Sequence, residues 1–409
     1  MRSRLLSPWG LAHLLSACTL LHALPPGFVD EGVNRWSRVT DIEIIPPPER
    51  WPSSSILLVA QKTGELHMIE DPDNQPGVSK LVADISDRLC FNGERGLLSV
   101  LAHPEFQRNR FVYLYYTYKG ATKCDQSRAT GPVNRCSRFV MRSDDTLDSS
   151  SEKVLFQTTP LAKQMHNGGD MVFGKDGYLY VATGDGGMSK SSRISQDNSD
   201  LLGTLVRLTD DGGVPSDNPF VAGGTRCALS GAAADGASPC QEIYATGLRN
   251  PFKLAVDPNA ANTRLYINDV GGRTWEEVNM AGDGFAGANY GWPEREGPCD
   301  GFGNAGDNIK GCSPKLQYQD PDHFYMHRDA SDDEGGGAIV GGAFVPNGVW
   351  PKEYDDAYLF ADFVFGDIYR KGLHTMRVWM VITHVRFVVC RTSARHGLFW
   401  LWHLGHPCF

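Results

Sequence analysis

Positive net charge, helical periodicity and nucleotide-binding loops are all scarce in this 409-residue chain. The formal net charge is -9 at pH 7, so a nucleic-acid role has no electrostatic support. Neither a P-loop nor a Gly-x-Ser-x-Gly elbow occurs. ATP-binding and serine-hydrolase readings therefore have no footing, and an NAD reading has none either. The ten cysteines never fall at Cys-x-x-Cys spacing, which excludes the commonest zinc pattern. No Asn-x-Ser/Thr triplet offers a glycosylation acceptor. Residues 371–409 hold no Asp or Glu, against 48 in the whole chain, yet carry five of its 12 His and three of its nine Trp.

What is present begins with an N-terminus that reads as a signal peptide over residues 1–24. Arg2 and Arg4 make a basic start, and Leu11 to Leu24 is uncharged and mostly apolar. That run is too short for a good membrane span, so the mature chain is expected to have none. The alternatives are a signal anchor or a buried N-terminal helix. The spacings Cys124/Cys136, Cys227/Cys240 and Cys299/Cys312 read as short disulfides stapling surface loops, with Cys90, Cys390 and Cys408 left over. Such staples need an oxidising compartment, so the expected location is secreted, or periplasmic in a bacterium.

Short apolar and aromatic runs recur between Gly/Asp turns, the pattern of an all-β domain. Ser55 to Ala60 followed by Gly64 to Ile69 is one example, and Tyr178 to Asp185 and Tyr358 to Asp362 repeat a related form. Five such units have cores near 55–70, 97–117, 171–208, 243–280 and 338–371. Unequal repeats of short hairpins between long Gly-rich loops suggest propeller blades rather than a sandwich. The propeller is expected over residues 25–371. Residues 372–409 read as an atypical tail, either facing a membrane or a second copy, or foreign to the propeller sequence.

Three stretches concentrate polar residues and glycine. They are Gly93-Glu94-Arg95-Gly96, His166-Asn167-Gly168-Gly169-Asp170 leading on to Gly184-Asp185-Gly186-Gly187, and Ala245-Thr246-Gly247-Leu248-Arg249-Asn250-Pro251. Asn268-Asp269-Val270-Gly271-Gly272, Trp275-Glu276-Glu277 and Asn289-Tyr290-Gly291-Trp292-Pro293 come after them. In number and order these stretches resemble the glucose/sorbosone dehydrogenase family. That family includes soluble pyrroloquinoline quinone (PQQ) sugar dehydrogenases and Hedgehog-interacting-protein-like proteins. The first stretch and the Cys-rich insertions look closer to the latter branch.

The resemblance implies a six-bladed β-propeller, here with an incomplete or aberrant last blade. It also implies an exported quinoprotein that oxidises the C1 hydroxyl of an aldose by hydride transfer to PQQ. His166 matches the general base, since a histidine titrating near neutrality can take a hydroxyl proton. Asp185 would orient it. Arg249 would steady charge on the quinone, with Asn250 and Glu94 as further cofactor contacts. The backbone carbonyls of Gly271 and Gly272 would bind a Ca²⁺ that anchors PQQ. Read as residues alone, His166 could cap a loop, Arg249 could bridge blades, and the Gly271-Gly272 turn could be a solvated loop. Two departures stand out. Glu94 replaces a glutamine usual in the enzymes, and the cations of their last blade have no match after residue 371. Both favour the alternative, a non-catalytic secreted propeller that binds a protein or glycan ligand.

Overall fold

The computed structural model describes residues 28–34, 36–45, 55–70, 79–121, 124–188, 190–300, 315–327, 337–364, 368–371, 385–392 and 395–398. The expected signal peptide lies outside these residues, as does Cys312.

The described chain is built of antiparallel sheets, each short strand bounded by the turns that its glycines and aspartates supply. β1 (Phe28–Asn34) stands apart from the blades. Blade one runs β2 (Val39–Ile45), β3 (Ile56–Gln61), β4 (Glu65–Glu70) and β5 (Ser79–Asp84). Blade two runs β6 (Leu97–Ala102), β7 (Phe111–Tyr118), β8 (Val133–Met141) and β9 (Leu147–Gln157). Blade three is β10 (Gly168–Phe173), β11 (Leu179–Thr183), β12 (Leu205–Leu208) and β13 (Ile243–Ala245). Blade four takes β14 (Pro251–Val256), β15 (Arg264–Asp269) and β16 (Trp275–Gly282). It skips the two-stranded ribbon β17 (Arg295–Glu296) and β18 (Cys299–Asp300) and closes with β19 (His323–Met326). Blade five has three strands, β20 (Ile339–Phe344), β21 (Tyr358–Asp362) and β22 (Ile368–Arg370).

First strands of successive blades neighbour one another, β2 on β6, β6 on β10, β10 on β14 and β14 on β20. Hydrophobic side chains from facing blades meet between them. Leu58, Leu66 and Met68 of blade one pack with Val100, Val112 and Phe139 of blade two. Tyr113 and Phe156 of blade two pack with Met171, Val181 and Val206 of blade three. Sheets stacked side by side around an axis, each burying both faces, make a β-propeller.

Two expectations need correction. Six blades were implied, but the described residues form five. The strands after residue 371, β23 (Val385–Thr392) and β24 (Arg395–Leu398), form a sheet with β1 instead, Phe28 opposite Cys390 and Asn34 opposite Val385. The five hairpin units counted along the sequence match the five blades, except that Ile243–Ala245 edges blade three rather than opening blade four. The Cys124/Cys136 staple is also wrong. Cys124 bonds Cys90 across 34 residues, while Cys136 is a buried free thiol between blades two and three, 3.6 Å from Met171 Sδ. Cys227–Cys240 forms as expected, and Cys299 is disulfide-bonded.

Two Gly-x-Gly-x-x-Gly stretches do occur, at 282–287 and 301–306. The first comes after β16 but opens no helix, so it lacks the strand–turn–helix that a dinucleotide requires. No helix among the described residues is long and apolar enough to cross a membrane.

Candidate functional site

The segments leading into β10 and β14 meet at one end of the strands. His166 has φ +55°, an uncommon conformation for a residue with a side chain. Its N–H donates to Glu94 Oε2 at 2.6 Å, and its carbonyl accepts the Gly186 N–H at 3.0 Å. The same carbonyl lies against Gly184, where a Cβ would come within 2.0 Å of it. Glycine at 184 is thus what lets the His166 backbone close onto the end of β11.

The imidazole is gripped at both nitrogens. Nδ1 lies 2.7 Å from Asp185 Oδ1, and Nε2 lies 3.0 Å from Arg249 Nη2. An ionised carboxylate only accepts and a guanidinium only donates. Nδ1 therefore carries the proton and donates to Asp185, while Nε2 presents its lone pair to Arg249. This assignment follows from the hydrogen-bond network. It leaves Nε2 as the basic atom of the site.

Asp185 is nearly buried, its side chain 3% exposed. It also accepts the Gly187 N–H at 2.8 Å on Oδ1 and the Trp292 indole N–H at 3.0 Å on Oδ2. The Arg249 guanidinium lies 5.3 Å from the Trp292 ring centroid, within cation–π range. Arg249 Nη1 donates to the Val270 carbonyl at 2.8 Å. Asp269 receives the backbone N–H groups of Arg249 and Asn250 at 2.9 and 2.7 Å. Burial pushes the Asp269 carboxyl up to about 7, with those two N–H donors and the Arg249 charge working against the rise and Asp185 adding to it.

The sequence-identified residues His166, Asp185 and Arg249 are therefore in mutual contact. Glu94 and Asn250 adjoin the same group. Glu94 is exposed but anchors the His166 backbone. Asn250 is buried, and its Oδ1 accepts the Gly168 N–H at 3.0 Å, tying the head of β14 to the head of β10.

Gly271 and Gly272 direct their N–H groups onto carboxylates, Glu276 Oε2 at 3.1 Å and Glu296 Oε1 at 2.8 Å. Glu296 Oε1 also accepts from the N–H groups of Arg273, Thr274 and Trp275 at 2.7, 2.8 and 3.2 Å. Glu296 Oε2 is buried with no hydrogen-bond partner. Glu276 pairs with His327 Nε2 on the other side of the turn. Burial opposes charge on His327, but the Glu276 contact outweighs it and raises its pKa.

Lys190, Arg273 and Trp292 had drawn no assigned role from sequence. The Lys190 ammonium is pulled down to about 8, by burial first, then by repulsion from Arg273 and Arg249, with Glu296 opposing. Three cations thus share one neighbourhood. Trp292 lies within one of the Gly-rich stretches, whereas nothing around Lys190 or Arg273 in the sequence marks them.

These residues fit the chemistry of the expected group. A polycarboxylate quinone needs cations, and Lys190, Arg249 and Arg273 supply three. A hard cation needs oxygen donors, and the Gly271-Gly272 turn lies beside a buried carboxylate oxygen without a partner.

Fold and site together define a β-propeller with a histidine–carboxylate–arginine centre at one end of its inner strands. The chain belongs to the glucose/sorbosone dehydrogenase family, whose model matches residues 50–351. It is 32% identical over 243 residues to aldose sugar dehydrogenase YliI of Escherichia coli, covering 59% of this chain and 57% of that protein. To quinoprotein glucose dehydrogenase B of Acinetobacter calcoaceticus it is 27% identical over 282 residues, 64% of this chain and 53% of the relative. To the Hedgehog-interacting protein of Homo sapiens it is 31% identical over 190 residues, 42% and 24% of the two chains. The chain spans about half the length of the curated relatives it matches. A solved soluble aldose sugar dehydrogenase of Escherichia coli, in its apo-form, shares the fold at TM-score 0.66. The identity is 22%, over 91% of this chain and 98% of that one.

Proposed function

We propose that the chain is the propeller of an exported, PQQ- and Ca²⁺-dependent aldose dehydrogenase. The observation that carries this reading is the His166 network, in which Asp185 fixes the proton on Nδ1 and leaves Nε2 as an acceptor.

In the reaction, His166 Nε2 takes the C1–O–H proton of a bound aldose, and loss of the C1 hydride to a bound two-electron acceptor would give the lactone. Bound PQQ would supply the hydride acceptor, and Ca²⁺ at the Gly271-Gly272 carbonyls would polarise it. Asp185 stabilises the imidazolium that forms, through the Nδ1–H bond it already makes. Arg249 presently donates to Nε2, so the substrate hydroxyl replaces that contact. The freed guanidinium then faces the developing negative charge. Lys190 and Arg273 would hold cofactor carboxylates. A secreted location agrees with the two disulfides on described residues.

The test is reconstitution with Ca²⁺ and PQQ, calorimetry of PQQ binding, and dye-linked aldose oxidation. His166→Ala is expected to keep PQQ binding and lose oxidation. The double change Lys190→Ala/Arg273→Ala is expected to weaken PQQ binding at least tenfold. Failure of the parent chain to bind PQQ, or equal oxidation by His166→Ala, would overturn the reading in favour of a ligand-binding propeller.

A further inference from the structure

The inner strands β10 and β14 begin beside His166 and Arg249 and end on the opposite side of the sheets. At their far ends lies an open hollow of about 430 Å³. β2 contributes Glu43, β6 contributes Leu101 and Ala102, β10 contributes Val172 and Phe173, and β14 and β20 complete it. Among its lining residues Glu43 is the one ionisable side chain, and the rest are apolar or glycine.

Between this hollow and the His166 end of the strands sits a buried polar plug. Lys253 Nζ lies 2.6 Å from Asp41 Oδ1 and 3.4 Å from Asp170 Oδ1. Ser99 Oγ donates to Asp41 Oδ2 at 2.7 Å and lies 3.1 Å from Asp170 Oδ1. Backbone N–H groups of Val100 and Leu254 donate to Asp41 and Asp170 at 2.9 and 2.8 Å. Four inner strands are stitched together by these contacts. They also commit one ammonium to two carboxylates.

Glu43 is the third carboxylate of this group. Its Oε1 accepts the Ala102 N–H at 3.1 Å. The charged groups acting on it are Asp41 on its own strand and Asp170 on β10, both of them paired with Lys253 on β14. β6 offers Ser99 and the Ala102 N–H, and the β20 residues at the cavity carry no charge. Burial, and then the two aspartates, push the Glu43 carboxyl up to about 8. With Glu43 ionised the four groups sum to two negative charges, three carboxylates against one ammonium.

A cation entering the cavity would offset that excess. A bare metal ion is poorly served, because one carboxylate and apolar walls cannot supply six or more oxygens. An anion would be repelled. We propose that this hollow is a small-molecule site for a primary ammonium on a short hydrocarbon body, the ammonium seated on Glu43 and the hydrocarbon on Leu101, Val172 and Phe344. The inference stands apart from the dehydrogenase reading, since neither His166 nor a cofactor enters it.

Calorimetry on the full chain with n-hexylammonium chloride, n-hexanol and sodium hexanoate tests it directly. Saturable one-to-one binding of hexylammonium is expected, at least tenfold tighter than the alcohol or the acid. It should strengthen roughly thirty-fold between pH 6.5 and 9 as Glu43 ionises, the ligand remaining protonated throughout. Glu43→Gln, which keeps shape and hydrogen-bonding capacity, should weaken hexylammonium at least tenfold and remove the pH dependence. Ala343→Trp, which fills the cavity, should abolish binding of all three probes; it decides the matter if the first variant does not fold. Equal affinity for ammonium and alcohol, unchanged binding in Glu43→Gln, or no binding of hexylammonium from pH 6.5 to 9 would each overturn the proposal.

Discussion

Replacing Asp185 by asparagine separates the shape of the site from its proton arrangement. Asp185 accepts three hydrogen bonds, from His166 Nδ1, the Gly187 N–H and the Trp292 indole. An asparagine of the same shape has one acceptor oxygen and one donor amide. If the amide faces Trp292, two donors meet and a buried indole N–H loses its partner, at a cost of about 1–3 kcal/mol. If the amide faces His166, Nδ1 must become the acceptor and the proton moves to Nε2. That N–H then points at Arg249, another donor, and the base has lost its lone pair. Either orientation destabilises the fold by about 1–3 kcal/mol, and the second removes general-base catalysis worth about 10²–10⁴ in rate. Nitrogen-15 NMR of labelled histidine reads the tautomer, thermal melting reads the stability, and dye-linked oxidation reads kcat. An Asp185→Asn variant that keeps the Nδ1–H tautomer, its melting temperature and kcat within threefold would refute the reasoning.

Two shorter tests bear on what holds His166 in place. Gly184→Ala would put a methyl group 2.0 Å from the His166 carbonyl oxygen. It is expected to cost about 2–4 kcal/mol in urea unfolding, and to displace His166, seen as lost oxidation with the aromatic core of the blades intact by near-UV circular dichroism. The Cys90–Cys124 bond closes a loop of 34 residues. Its removal by Cys90→Ser/Cys124→Ser is expected to cost about 3–4 kcal/mol, read as a lower unfolding midpoint of the variant than of the parent chain, both measured without reducing agent.

How far the sequence was legible depended on the range of the contact. Hairpin units announce themselves through alternation and Gly/Asp turns, which are local, and the five read from residues match the five blades. The sixth was an inference from family likeness, and the sequence after residue 371 supplies strands that join β1 instead. His166, Asp185 and Arg249 stood out because each lies in a Gly-rich stretch where a strand begins or ends, the place where a propeller exposes side chains. Cys90–Cys124 was missed because short spacing favoured Cys136, whose position on β8 turns it into the packed space between two blades. Lys190 and Arg273 were missed for a related reason. They sit 83 residues apart in the numbering, and the fold alone brings their charges beside Arg249.

Glu94 shows how a substitution read as a defect changes meaning once its contact is known. From the sequence, a carboxylate beside an anionic cofactor is repulsive. In the structure its Oε2 accepts the His166 backbone N–H, helping to hold His166 at φ +55°. A glutamine oxygen could accept the same N–H, so anchoring does not require the charge, and the two roles can be separated. Glu94→Gln should leave the melting temperature and the His166 tautomer unchanged while tightening PQQ a few-fold. The gain should be larger at about 10 mM than at about 500 mM salt, since exposed charges are screened. Glu94→Ala should lose the anchor and with it oxidation. If Glu94→Gln weakens PQQ, or its gain is independent of salt, repulsion between the Glu94 carboxylate and the cofactor is refuted.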